Sequence, residues 1–265
     1  MSNEDAVPAV ADLLSLKGQR ALVTGGSGNI GRGIALRLAE AGANVVVHYR
    51  SGADGAAETV AAVTATSRNA ESIQADLTVA DEVADMFSKI DKSGPPVTCV
   101  VNNAGGYPVR AFADMTAIEW QQVVAANLDS AVYVSQESIR RWCDGNNKGA
   151  IVNIASTEGT DPAPGHSHYA TSKAGLLMLT RSLTLEYGRK GIRVNAVSPG
   201  LIAREGIEQS WPDGVANWHE NAPLKRMGDA ADVADAVLFL LCPASRWISG
   251  VNLVVDGGMS SVSRW

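Results

Sequence analysis

Seven short runs of mainly apolar residues recur along the chain, at residues 20–24, 44–49, 71–75, 97–101, 150–155, 192–197 and 251–255. Most are nearly continuous in apolar side chains, the pattern of central parallel strands covered by helices on both faces. Between them lie stretches with helical periodicity, at residues 30–41, 79–90, 118–142, 167–189 and 230–241. This alternation predicts an α/β fold: a doubly wound, seven-stranded parallel sheet with right-handed crossovers and helices on both faces. Ligands of such sheets bind beyond the carboxyl ends of the strands, where strand order reverses. Chemistry is therefore sought in the residues just after each strand.

No repeat, low-complexity block or interdomain linker interrupts the pattern, so one domain is expected from about residue 15 to 265, preceded by a mobile tail over residues 1–14. A length of 265 residues suits one large α/β domain. The formal net charge of -6 and pI near 5.2 argue against a nucleic-acid surface, which would be basic. No apolar run approaches the roughly 18 residues of a membrane span, and residues 1–12 lack the basic start and apolar core of a signal peptide. Cys99, Cys143 and Cys242 are scattered, without metal-ligand spacing or a disulfide framework, as expected of reduced thiols in a cytoplasmic protein. The four histidines (His48, His166, His168, His219) also lack ligand spacing, so no metal site is expected.

The segment Thr24-Gly25-Gly26-Ser27-Gly28-Asn29-Ile30-Gly31 follows the first strand and opens the first helix. Glycines there permit a tight turn and close backbone approach to a pyrophosphate, whose charge the free N–H groups and helix dipole stabilise. Sites that prefer NAD usually carry an acid at the end of the second strand for the ribose hydroxyls. Here Tyr49 falls at that place, followed by Arg50 and Ser51. A guanidinium can bind a 2′-phosphate through paired hydrogen bonds, so NADP(H) is favoured and NAD(H) remains possible. Tyr169 and Lys173 are four residues apart near the start of a predicted helix, which places phenol and ammonium on one face. A nearby cation favours the phenolate that proton transfer at neutral pH requires.

With Ser156 thirteen residues before Tyr169, Asn127 on an earlier helix, and Asn102-Asn103-Ala104-Gly105 after the fourth strand, the chain resembles the short-chain dehydrogenase/reductase family, in the compact branch of 3-oxoacyl-acyl-carrier-protein reductases and glucose 1-dehydrogenases. The motifs run from Thr24 to Gly258. One departure is Asn29, which stands where a middle glycine is usual. The turn then survives either through Asn, which tolerates positive φ, or through Gly28.

The resemblance implies a Rossmann fold and a catalytic set of Asn127, Ser156, Tyr169 and Lys173. Tyr169 would act as general acid/base during hydride exchange between NADP(H) and a small ketone or alcohol. Ser156 would bind the substrate oxygen. Lys173 would lower the tyrosine pKa, hold the nicotinamide ribose and pass protons through Asn127 and water. Cofactor contacts implied by the resemblance include Gly25, Ser27, Asn29 and Ile30 in the loop. Asp76 and Leu77 would lie near the adenine, Asn102, Ala104 and Gly105 along the cofactor, and Pro199, Gly200 and Ile202 around the nicotinamide.

In the same family, residues 203–224 form a substrate lid. Here the lid carries Trp211 and Trp218, which would either bury an apolar or cyclic substrate or staple the lid to the core. His166 and His168 would stand on the opposite wall. Arg204 would bind an anion or pair with Glu205 or Glu208. Residues 230–241 and 251–258 resemble the family's subunit-pairing elements, so a homodimer or homotetramer is expected, with Arg264 and Trp265 across a subunit boundary. The alternative is a non-catalytic NAD(P)-binding regulatory or scaffold protein, disfavoured because both Tyr169 and Lys173 are present.

Overall fold

The computed structural model describes residues 7–66 and 68–262. Seven strands, β1 (Arg20–Val23), β2 (Asn44–Tyr49), β3 (Ala70–Gln74), β4 (Cys99–Asn102), β5 (Gly149–Ile154), β6 (Ile192–Pro199) and β7 (Asn252–Val255), form one parallel sheet in the order β3-β2-β1-β4-β5-β6-β7. Strand order reverses between β1 and β4, which pair through Ala21 with Cys99 and Val23 with Val101. The expected Rossmann-type sheet is therefore observed. The central strands β1 and β4 are buried at every position, whereas the edge strand β7 alternates between exposed and half-buried residues. Such alternation marks a strand with one face covered and the other open.

Successive residues of each central strand point into opposite layers. Ala21 and Val23 join Ile34, Leu38, Val45, Val47 and Val237 on one face. Leu22 joins Val46, Met86, Phe87, Ile90 and Ile151 on the other. The helices that supply these layers are α1 (Asn29–Glu40), α2 (Ala53–Thr64), α3 (Ala80–Ser93), α4 (Ala117–Val124), α5 (Ser130–Asp144) and α6 (Ser167–Tyr187), followed by α7 (Ile207–Ser210), α8 (Pro212–Asn221) and α9 (Ala230–Leu241). Asp229 caps α9 by accepting from the N–H groups of Ala231 and Asp232, and Thr116 with Glu119 forms a capping box on α4. At the far end of β1 the buried Arg20 guanidinium donates to the carbonyls of Ile90 (2.9 Å) and Pro95 (2.7 Å) and pairs with Glu71 of β3. A buried cation is tolerated because its donors are satisfied in this way.

The helical pattern expected over residues 118–142 is observed as one uninterrupted helical run, α4 to α5, with a single π turn, Ala125–Asp129, inside it. Residues 53–64 form α2, and residues 203–224, expected as a lid, contain α7 and α8. Of the expected tail, residues 1–6 lie outside the described residues; beyond them, Val10–Asp12 make a 3-10 turn, and the Leu13 carbonyl accepts from the N–H of Ala244 at 3.0 Å. Arg264 and Trp265, expected at a subunit boundary, also lie outside the described residues. No helix among those described is long and apolar enough to cross a membrane.

Candidate active site

The loop after β1 is tied down from several directions. Thr24 Oγ1 donates to the Val101 carbonyl and accepts from the N–H groups of Asn103 (2.9 Å) and Ala104 (3.0 Å). Asn103 Nδ2 returns donors to the carbonyls of Thr24 and Gly25. His48 of β2 takes the Gly25 N–H on its ring and the Gly26 N–H on its carbonyl. Gly25 has φ +62°, and a Cβ at Gly31 would stand 2.2 Å from the Gly25 carbonyl oxygen. Those two glycines are required by backbone conformation and by close approach.

Neither proposed solution at Asn29 is the one used. Gly28 is extended (φ −98°) at the N-cap, and Asn29 is the first residue of α1, with Nδ2 donating to the Ala203 carbonyl at 2.6 Å. The positive φ sits at Gly25, four residues before Asn29, so the amide at 29 is free to tie the loop to the segment after β6.

Beside this loop, at the carboxyl ends of β1, β2, β3 and β4, lies a cavity of ≈ 250 Å³. Of the expected cofactor contacts, Gly25, Ser27, Arg50, Ser51, Asp76, Leu77, Ala104 and Gly105 line it. His48, Gly52, Thr78, Gly106, Ala126 and Ser130 line it as well and were not anticipated. Asp76 Oδ1 accepts from both the N–H and the hydroxyl of Thr78, and these bonds hold its carboxyl below the usual range, with Arg50 adding to the effect. The cradle of glycines, the start of α1 and the Arg50 guanidinium fit a dinucleotide.

Other expected contacts sit elsewhere. Tyr49 is half-buried and packs on the core instead of lining the cavity, because strand alternation turns His48 inward and Tyr49 away. Asn102 is a brace: its Nδ2 donates to Asn153 Oδ1 (2.8 Å) and Ser135 Oγ (3.1 Å). Its neighbour Asn103 is the one that touches the loop. Ile30 packs against the core from α1. Pro199 ends β6 in buried surroundings, and Ile202 is buried and bridges to Gly228.

The catalytic candidates come together where β5, α6 and the π turn meet. Ser156 follows β5 and its Oγ accepts from the Glu158 N–H at 3.1 Å. Tyr169 and Lys173 lie in the first turns of α6, with the Lys173 Nζ 5.4 Å from the Tyr169 ring centroid. Nζ donates to the Ile154 carbonyl at 2.8 Å. Burial pushes the Tyr169 phenol up to about 12; a hydrogen bond with Ser156 works against that, and Glu158 and Tyr107 add to it. Burial pulls Lys173 down to about 8. Both groups are desolvated, and the ammonium lies over the ring and bonds to a carbonyl.

The π turn places Asn127 beside Gly106. Asn127 Nδ2 donates to the carbonyls of Gly106 (2.7 Å) and Val123 (3.0 Å), and its Oδ1 accepts from the Gly106 N–H. A Cβ at Gly105 would stand 2.4 Å from Asn127 Oδ1 and 3.8 Å from Lys173 Nζ. These three residues therefore meet at the edge of the first cavity.

A second cavity of ≈ 360 Å³ opens on the other side of Ser156. Glu158, Gly200, Trp211, Trp218 and Asp256 are among its walls. Trp218 rests on Gly200, where a Cβ would stand 2.5 Å from its ring, and its Nε1 donates to the Arg226 carbonyl. Both tryptophans face the cavity, and Trp211 also packs against Gly214. His168 does not stand on the wall: it is fully buried, and its Nδ1 accepts from the Tyr169 N–H. His166 bonds through Nδ1 to the Glu158 carboxylate and meets the Tyr169 ring edge-on at 5.9 Å. Arg204 is exposed.

A glycine-rich strand–helix turn at the reversal point of a parallel sheet, beside a buried Ser–Tyr–Lys cluster, defines a nucleotide-dependent oxidoreductase. The family model described as enoyl-(acyl carrier protein) reductase matches residues 25–260. The chain is 36% identical over 239 residues to a 3-oxoacyl-(acyl-carrier-protein) reductase, FabG, of Staphylococcus epidermidis, covering 90% of this chain and 98% of that one. A crystal structure of a putative short-chain alcohol dehydrogenase from Sinorhizobium meliloti superposes with a TM-score of 0.90 at 34% identity, covering 95% and 100% of the two chains. A gluconate 5-dehydrogenase from Burkholderia cenocepacia, in complex with NADP and tartrate, gives 0.90 at 28% identity, covering 96% and 100%. The chain belongs to the short-chain dehydrogenase/reductase family, whose members act on alcohols and ketones with NAD(P).

Proposed function

We propose that this protein is an NADP(H)-dependent oxidoreductase that interconverts a ketone and a secondary alcohol, with Tyr169 as general acid/base. The observation that carries the reading is the position of Tyr169. It is bonded to Ser156 on the side of the second cavity and covered by Lys173, which borders Gly105 on the side of the first. The nicotinamide supplies or accepts the hydride when bound. Ser156 holds the substrate oxygen and stabilises its charge. Tyr169, pushed up to about 12, keeps its proton at neutral pH, the form that protonates a developing alkoxide. Lys173 holds the ribose, and Asn127, fixed on Gly106, relays protons between it and solvent.

Arg50 at the lip of the first cavity, with no carboxylate among the side chains of residues 49–51, supports a preference for NADPH over NADH. The walls of the second cavity disfavour an anionic substrate. Glu158 and Asp256 line it, and none of its lining residues is Lys or Arg. Burial alone would raise Asp256, but hydrogen bonds from Ser260 and Gly258 outweigh it and hold the carboxyl below the usual range. An anionic substrate would meet like charge, while the tryptophan faces suit an apolar or cyclic body. Exposed Met178, Leu185 and Trp247 support assembly as a homodimer or homotetramer.

A panel of neutral and anionic ketones, followed by loss of NADPH absorbance, tests the reading. Turnover of neutral cyclic ketones with NADPH is expected; no turnover of any ketone or alcohol with either cofactor would overturn it.

A further inference from the structure

His48 lies in β2, 2% exposed, directly after three valines. Its Nδ1 is 3.2 Å from the Gly25 backbone nitrogen and its Nε2 is 3.0 Å from the Ala75 carbonyl oxygen. The first partner is a donor and the second an acceptor. Both contacts are satisfied by one form only, the neutral imidazole with its hydrogen on Nε2. The His48 carbonyl also accepts from the Gly26 N–H at 2.8 Å, so a single residue takes two successive amides of the phosphate loop. One of these belongs to Gly25, the residue whose positive φ makes the turn. The ring itself borders the cavity beside Asp76 and Arg50.

We propose that His48 is a positioning residue for the dinucleotide: its neutral Nε2–H ring latches the phosphate loop at Gly25, and protonation of the ring releases the latch and weakens cofactor binding. The inference rests on the dinucleotide reading above. Protonation would place a second N–H at Nδ1, opposite the Gly25 N–H, and two donors cannot share that contact. Asp76, after β3, is the acid facing the ring and favours its cation; Arg50, on the same chain segment, shares Asp76. Residues 24–28 of the loop carry no titratable side chain, and Glu58 of α2 pairs with Arg32 at the surface. Burial, the largest influence, holds the ring below its ordinary range, as a latch working at neutral pH requires.

The test is the Kd of NADPH, measured by cofactor fluorescence between pH 5 and 8, for the wild type, His48→Asn and His48→Phe, each checked for folding by thermal unfolding. Asn keeps an acceptor near the place of Nδ1 but does not titrate; Phe has no acceptor. The latch predicts a Kd for the Phe variant raised by about tenfold at pH 7.5, with kcat at saturating NADPH changed less than about twofold. It predicts recovery by Asn, and an acid-side weakening in the wild type that exceeds that of the Asn variant by about threefold or more. Nitrogen NMR shifts of the wild-type ring should report the Nε2–H form, a readout that stands even where a variant does not fold. Coincident pH profiles for wild type and Asn, or an Nδ1–H ring, would overturn the latch alone. Failure of the wild type to bind NADPH or NADH at any pH would overturn the dinucleotide reading and the latch with it.

Discussion

The Lys173 ammonium donates to the Ile154 carbonyl at 2.8 Å and lies over the Tyr169 ring, 5.4 Å from its centroid. Lys173 is 4% exposed, and desolvation is the cause of its fall to about 8. In the unfolded chain it titrates near 10.4. Between about pH 8 and 10.4 the unfolded chain therefore binds more protons than the folded one, and stability rises with pH across that window. Below about pH 8 the buried ammonium costs the fold up to roughly 3 kcal/mol. Lys173→Met should gain stability at pH 7, by about 1–3 kcal/mol, and the gain should shrink towards pH 10.4. Urea denaturation at the two pH values checks this; an equal gain at both would contradict it. Turnover should be lost in the same variant.

Gly105 is predicted to be intolerant of any side chain. A Cβ there would stand 2.4 Å from Asn127 Oδ1, within the network that fixes Gly106 and the π turn. Gly105→Ala should cost about 1–3 kcal/mol of stability, as overpacking of a close contact does. It should also lower kcat by displacing Asn127. Neighbouring Gly106 has open space around its Cβ position, so Gly106→Ala serves as the control and should keep near wild-type stability. Equal denaturation midpoints for the two variants would contradict the packing argument.

Arg50→Glu should reverse the cofactor preference. A carboxylate at the lip of the first cavity, already beside Asp76, would repel a 2′-phosphate and accept ribose hydroxyls instead. A fall in kcat/KM for NADPH of about 100-fold, near 2.7 kcal/mol, is expected, with little loss for NADH. Steady-state kinetics with both cofactors decide it; equal losses would place Arg50 outside the phosphate contact.

The strands were legible because burial on both faces of the sheet writes continuous apolar runs, and boundaries such as Asn44–Tyr49 follow directly. Ser156, Tyr169 and Lys173 were legible from spacing, and the structure does bring them together. The π turn was not, because its extra residue is set by the bonds of Asn127 to Gly106, a tertiary contact that leaves no periodic trace. Helix α8 did leave a signal, Pro212 at its first turn, a position where the missing N–H costs nothing. The roles of Asn102 and Asn103 could not be separated by motif alone: strand alternation sends one side chain between β4 and β5 and the other towards Thr24. His48 stood out only as a polar residue after three valines, and its function depends on partners 23 and 27 residues away.

The central claim is that Tyr169 is the proton donor in an NADPH-linked ketone reduction. It is tested most directly by comparing the wild type with Tyr169→Phe on a neutral ketone that the wild type reduces. Removing the hydroxyl should lower kcat by about 10³-fold or more, while the Kd for NADPH stays within about threefold. Turnover in the phenylalanine variant within tenfold of the wild type would contradict the account.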